Sequence, residues 1–229
     1  MEENKLANIM QHYTTVSALF NILENGLDFA FGDGKSWIDK NDLHSLQKYK
    51  KYIGKKVYVL CFCDGMGNAH HWTTLGKANK KDRESKIKCS IVLDKQQFIH
   101  KMQELHCISR RMIYCSNSEV QSYDIRDILF LKRNEYENEH EFRFVYICNE
   151  GEIPTSINIK SFIRKIVIGN CEKQKYEEIK HRLMTEFLFT EDQIGQNLLN
   201  DSVEWDKNID TLIKQVPTTN NNTRKSDIF

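Results

Sequence analysis

Proline is almost missing from this chain: two residues in 229, Pro154 and Pro217. That scarcity accompanies many Lys, Asn and Ile and bears little on mechanism. The lack of net charge excludes more. With 33 basic and 32 acidic residues the total is +1, so no global field argues for a nucleic acid or a membrane, although a local basic patch stays open. No apolar run approaches the ~20 residues of a bilayer span. The opening Met1-Glu2-Glu3-Asn4-Lys5 has neither the basic nor the apolar region of a signal peptide. The cysteines number seven, an odd count, and most sit in apolar runs. Reduced thiols in a cytoplasmic protein are therefore expected, not a disulfide framework.

What is present suits one folded domain. Hydrophobic residues make up 40% and charged residues 28%, enough apolar material to exclude wholesale disorder. A single domain is expected over residues 1–215, with a mobile tail at 216–229. Thr15 can cap a helix carrying Val16, Leu19, Phe20 and Leu23, with Gly26 ending it. Residues 28–56 read as loop-rich. Val57 to Cys63 is an apolar run of strand length, and Ile87 to Leu93 is a second. Between them, a helix carrying His70, His71 and Trp72 precedes a polar loop at 77–86. Asp94 and Gln97 form a capping pair for a helix through Glu104. Short strands are expected at Met112–Cys115 and Ile128–Leu131. Phe142, Phe144, Tyr146 and Cys148 then alternate with Glu141, Arg143, Val145 and Ile147 in a two-faced strand. Another strand, Ile163 to Ile168, a charged helix over 172–188 and a short helix near 191–199 complete the reading. Strands and helices without regular alternation predict an α+β class over a doubly wound one.

Two distant segments carry chemistry-bearing residues: His12-Tyr13-Thr14, leading into the first helix, and Glu139-His140-Glu141-Phe142-Arg143, opening a strand. These segments are part of a wider resemblance. His-Tyr-Thr followed by Ile22-Leu23-Glu24-Asn25-Gly26, Lys40-Asn41-Asp42, Val57 to Cys63, Trp72, Tyr136 to Arg143 and Ile166-Val167-Ile168-Gly169-Asn170 keep their order over residues 10–188. The set resembles a bacterial family catalogued as a domain of unknown function and often found near phage-defence genes. The His-Tyr-Thr segment is also similar to the DarT-like DNA ADP-ribosyltransferases. The Glu-x-Glu strand is similar to wider ADP-ribosyltransferases, whose second glutamate is catalytic. Cys63 stands where the family commonly has serine, and Leu43 where it commonly has proline.

The resemblance implies mixed sheets with flanking helices in an ADP-ribosyltransferase-like fold. It also implies a toxin or anti-phage effector that uses NAD as substrate, with no metal. ADP-ribosyl transfer passes through an oxocarbenium-like ribose, which a nearby carboxylate stabilises. Glu141 suits that role, with Glu139 beside it; the bland alternative is solvated charge at a strand edge. Arg143 could bind a pyrophosphate or hold Glu141 in place, and the ion pair is preferred. His12, Tyr13, Thr14, Asn41 and Cys63 are the further expected NAD contacts. Trp72 offers an aromatic face for nicotinamide or serves as a core anchor. Cys61, Cys63, His70 and His71 match no standard pair of zinc half-sites.

Lys48, Lys50, Lys51, Lys55 and Lys56 interleave with Tyr49 and Tyr52, and Lys77, Lys80, Lys81 and Arg83 follow. Such patches suit phosphate contact with base stacking, or are simply solvated loop charge. The leading expectation is transfer to nucleic acid, RNA or DNA, with an antitoxin protein as a possible restraining partner. The alternatives are a protein acceptor, NAD hydrolysis, or a domain without chemistry that binds a nucleotide or a partner.

Overall fold

The computed structural model describes residues 8–31, 40–74 and 87–197, together with Lys207 and Thr211. Residues 1–197 form one compact unit and 198–229 a second. The tail at 216–229 and the loop at 77–86 lie outside the described residues. Among those described, no helix is long and apolar enough to cross a membrane.

The first unit is α+β, built on a largely antiparallel sheet. Its strands are β1 (Ile9–Thr15), β2 (Ala30–Phe31), β3 (Lys56–Asp64), β4 (Lys88–Asp94), β5 (Ile108–Arg111), β8 (Glu141–Cys148), β9 (Ile163–Ile168) and β10 (Ile194–Gln196). The order across it is β10-β9-β4-β1-β3-β8-β5, with β2 also paired to β3. A separate pair joins β6 (Ile113–Cys115) to β7 (Leu131–Arg133) in parallel. The helices are α1 (Val16–Asn25), α2 (Lys40–Ile53), α3 (Ala69–Thr74), α4 (Lys95–Glu104) and α5 (Lys173–Thr185).

Both faces of the central strands are covered, which is why β8 is buried along most of its length. On one face Phe62, Phe98, Phe142 and Phe144 share a core with residues of α1, α4 and α5. Phe144 is fully buried and meets the rings of Phe62 and Phe98 edge-on, at 5.6 and 5.4 Å between centroids. The other face packs Val57, Val59 and Val145 beneath Leu46 and Tyr49 of α2 and Leu129 and Phe130. Strand alternation sorts these two sets, since successive side chains point to opposite sides of a sheet.

Several expectations are corrected here. The segment ahead of the first helix is β1, a central strand paired with β4 along its whole length. Thr15 ends it and also caps α1 by accepting from the Ala18 amide at 3.3 Å. The supposed loop contains α2, whose Leu46, Tyr49 and Ile53 repeat at helical spacing and pack inward. Ile128 precedes rather than opens a strand, because Ile125–Leu129 is a 3-10 turn. At the end, Glu191–Gln193 is one 3-10 turn, and β10 pairs in parallel with β9.

Truncating Phe144 to Ala removes a ring that meets Phe62, Phe98 and Phe142 and leaves a cavity between β8 and α4. It should cost about 3–5 kcal/mol, read as a lowered urea midpoint with an unchanged slope.

Candidate functional site

Strands β1 and β3 pair only briefly, at Met10↔Asp64 and Gln11↔Cys63. Beyond Gln11 their recorded pairing stops, although β1 stays bonded to β4 and β3 to β8. A cavity of about 220 Å³ lies where they part, lined by Gln11, His12, Tyr13, Cys61, Phe62, Cys63, Glu139 and Glu141. That is below the ~300–1,000 Å³ of drug-sized ligand pockets, so it suits one ring and its attached sugar.

The register fixes which side chains share its Glu141 side. Gln11 lies opposite Cys63, and Cys63 opposite Glu141; one step along, Cys61 lies opposite Arg143. His12 falls between these rows. It lines the same cavity, but alternation sends its ring to the Phe62 side of the sheet, 5.5 Å from that ring. Its Nδ1 comes within 3.4 Å of the Cys61 carbonyl. Burial lowers its pKa, partly offset by that carbonyl, leaving a neutral imidazole near pH 7. His12 and Glu141 thus meet one cavity from opposite sides. The reason is that His12 belongs to a strand, where neighbours alternate.

Glu141 is buried in a dense ionic cluster. Arg143 Nε donates to its Oε1 at 2.8 Å, and Lys132 Nζ donates to its Oε2 at 2.9 Å. Lys132 also pairs with Glu139 Oε2, so one ammonium bridges both glutamates. Arg143 grips Asp42 through both terminal nitrogens, at 2.9 and 2.6 Å, and donates to the Leu129 carbonyl at 3.0 Å. With a second approach to Glu141 at 2.8 Å, each of its five N–H groups faces an acceptor. No donor is left for a pyrophosphate, so Arg143 takes the positioning role. Burial opposes ionisation of Glu141, yet Arg143 and Lys132 outweigh it and hold its pKa down at about 2. Lys132 is raised by the two glutamates against the penalty of burial.

The backbone around the pair is also tied. The Glu141 amide donates to Tyr114 Oη at 2.8 Å. His140, between the glutamates, is left-handed at φ 44°, an uncommon conformation for a side-chain-bearing residue. His71 is fully buried, and burial lowers its pKa. Its Nε2–H faces the Glu139 carbonyl at 2.9 Å while Nδ1 accepts from the Asn68 amide at 3.0 Å.

On the β1 side, Gln11 Oε1 accepts from Tyr13 Oη and Ser90 Oγ, and its Nε2 donates to the Gly65 carbonyl. Tyr13 stacks on His71 at 5.1 Å and takes Trp72 edge-on at 5.3 Å. Its hydroxyl lies where a Gly67 side chain would stand, 1.6 Å from a Cβ built there. Trp72 braces Tyr13 from behind and does not line the cavity. Burial pushes the Cys63 thiol up to about 12, with Asp64 adding to it, and Cys61 is raised as well. Both are neutral thiols, so neither is an activated nucleophile.

No family model matches the chain, and no curated protein matches it.

The remaining expected contacts lie elsewhere. Thr14 pairs with Cys89 and is absent from the cavity wall. Asn41 lines a second cavity with Lys48. Lys50 and Lys51 are on α2, Lys55 follows Gly54 in the turn, and Lys56 opens β3, 3.5 Å from Glu150. The aromatic interleaving belongs partly to the core, since Tyr49 is buried while Tyr52 is exposed. The second basic group, at 77–83, lies outside the described residues. Lys132, Asp42, Tyr114, His71 and Gln11 were not expected as site residues. Asp42 carried a signal as part of the Lys-Asn-Asp segment, and His71 only as a rejected zinc candidate.

Two outcomes follow from the cluster. Asp42→Ala strands a buried guanidinium and should cost about 3–5 kcal/mol in chemical denaturation. Glu141 has a folded pKa near 2, below its ordinary 4.5. Its stabilisation is complete above that ordinary value and is lost as pH falls toward the folded one. The acid limb of a stability–pH curve should therefore be shallower for Glu141→Gln than for the parent protein.

Proposed function

We propose that the protein cleaves the nicotinamide glycosidic bond of NAD and transfers ADP-ribose to a nucleic acid. The observation that carries this reading is Glu141: a buried carboxylate, ionised at neutral pH, on the wall of a cavity the size of a ring and its sugar. Charge fixed before substrate arrives stabilises a developing cation without reorganisation in the transition state. In the reaction the C1′–N bond breaks and its electron pair leaves with nicotinamide. An acceptor nucleophile then bonds to C1′ and loses its proton.

Within this reading the two glutamates divide the work. Glu141 faces the ribose as an anion; a pKa near 2 makes it a weak base and a good electrostatic partner. Glu139 is more exposed, with 18% of its side chain accessible against 6%, and stands nearer the acceptor as the group that orients it. Gln11 and Tyr13 supply the polar wall opposite, and His12 closes the cavity from the Phe62 side. The similarity to DNA-modifying transferases and the lysines of α2 support nucleic acid as acceptor. A role as toxin or phage-defence effector rests on the family resemblance alone.

One observation favours a second reading, a binding domain without chemistry. Both Glu141 oxygens already accept from cations, as in a structural ion network. A carboxylate offers about four lone-pair sites; Arg143 Nε and Nη2 and the Lys132 ammonium take three, and a ribose hydroxyl would share the fourth with the Cys61 thiol. Nicotinamide release at saturating NAD separates the readings. Glu141→Gln should bind NAD nearly as well yet turn over about two to four orders of magnitude more slowly. Glu139→Gln should impair transfer more than release. Release near the parent rate in Glu141→Gln assigns the carboxylate to structure alone.

A further inference from the structure

A second cavity, of about 420 Å³, lies beside the glutamate pair and is not used by the reading above. α2 contributes Asn41, Asp42, His44, Ser45 and Lys48 to its wall; β7 contributes Leu131, Lys132 and Arg133. Asn117, Val120 and Ile128 complete much of the rest. Lys48 and Arg133 thus face one carboxylate, and that carboxylate, Asp42, is held in both its oxygens by Arg143, while the Lys132 ammonium is held by Glu139 and Glu141. Lys48 is exposed and makes no ion pair among the described residues. Positive charge, amide and hydroxyl donors and an apolar floor together suit a phosphate attached to a flat, less polar body.

We infer that this cavity binds a backbone phosphate of a polynucleotide acceptor and thereby presents the adjoining nucleotide to Glu139. The inference rests on the transferase reading and names its acceptor site. Lys132 supplies the connection: it lines this cavity while bridging Glu139 and Glu141, which line the other. A phosphate within reach of Lys132 is one side chain from both carboxylates. Lys48 extends the site outward along α2, where Lys51 follows one helical turn later. Lys51 does not line the cavity and so separates a built site from general attraction along the helix.

The test is binding of short labelled single-stranded RNA and DNA to the full chain, by fluorescence anisotropy over a salt series. Lys48→Glu should weaken at least one probe about tenfold and reduce the salt slope by about one. Lys51→Glu should weaken it by less than about threefold, and NAD affinity should be unchanged in both variants. Absence of binding by the parent protein, or equal losses in the two variants, overturns the assignment. A matching fall in NAD affinity for Lys48→Glu overturns it too, because the bound phosphates are then those of the dinucleotide. Failure of the parent protein to release nicotinamide would instead defeat the transferase reading, and the oligonucleotide result would stand apart from it.

Discussion

The guanidinium of Arg143 is the point on which the rest of the structure turns. It is fully buried, a position that costs a charged group several kcal/mol unless partners replace its water. Asp42, Glu141 and the Leu129 carbonyl do so, and they come from three places in the chain. Satisfying one charge therefore fixes α2, the turn before β7 and the mouth of β8 against each other. The same contacts aim the Glu141 carboxylate at the cavity and keep it ionised. Fold stability and site geometry share one set of hydrogen bonds.

The second constraint is where pairing stops. β3 and β8 match along Lys56 to Cys63, a rigid unit carrying Cys61, Cys63, Glu141 and Arg143. β1 is held just as firmly by β4, from Ile9 to Thr15. The two units are paired as strands at only two recorded positions, and the gap beyond exposes backbone and side chains that a continuous sheet would have sealed. Polar groups fill the edge of that gap: Gln11 satisfies Tyr13, Ser90 and Gly65 at once. A cleft between two rigid halves keeps its shape without a ligand, the preorganisation that electrostatic catalysis needs.

Local patterns made much of this legible in the sequence. The apolar runs that became β3 and β4, the Asp94 cap, and the alternation along β8 each depend on neighbours in sequence, and each formed as expected. The Glu141–Arg143 spacing already implied one face and a pair. β1 was hidden because Gln11, His12 and Tyr13 interrupt its apolar run, and a cap at Thr15 drew attention to the helix after it. α2 was hidden by lysines, although Leu46, Tyr49 and Ile53 carry the helical period. β10 exists only because β9 offers it a partner. Lys132 is one lysine among many until folding brings it between two glutamates separated by a left-handed His140.

That last placement shapes the chemistry. Two carboxylates sharing a site without a cation would repel, and one would take up a proton. An ammonium between them offsets that repulsion while they stand close. The site then holds paired negative charge beside a sugar-sized cavity and positive charge beside a larger one, with Lys132 as the boundary. A group developing positive charge belongs in the first, and a group already negative belongs in the second. Under the proposed transfer reaction, this polarity adds to Glu141 a place for the acceptor's phosphate, which hydrolysis by water would not need.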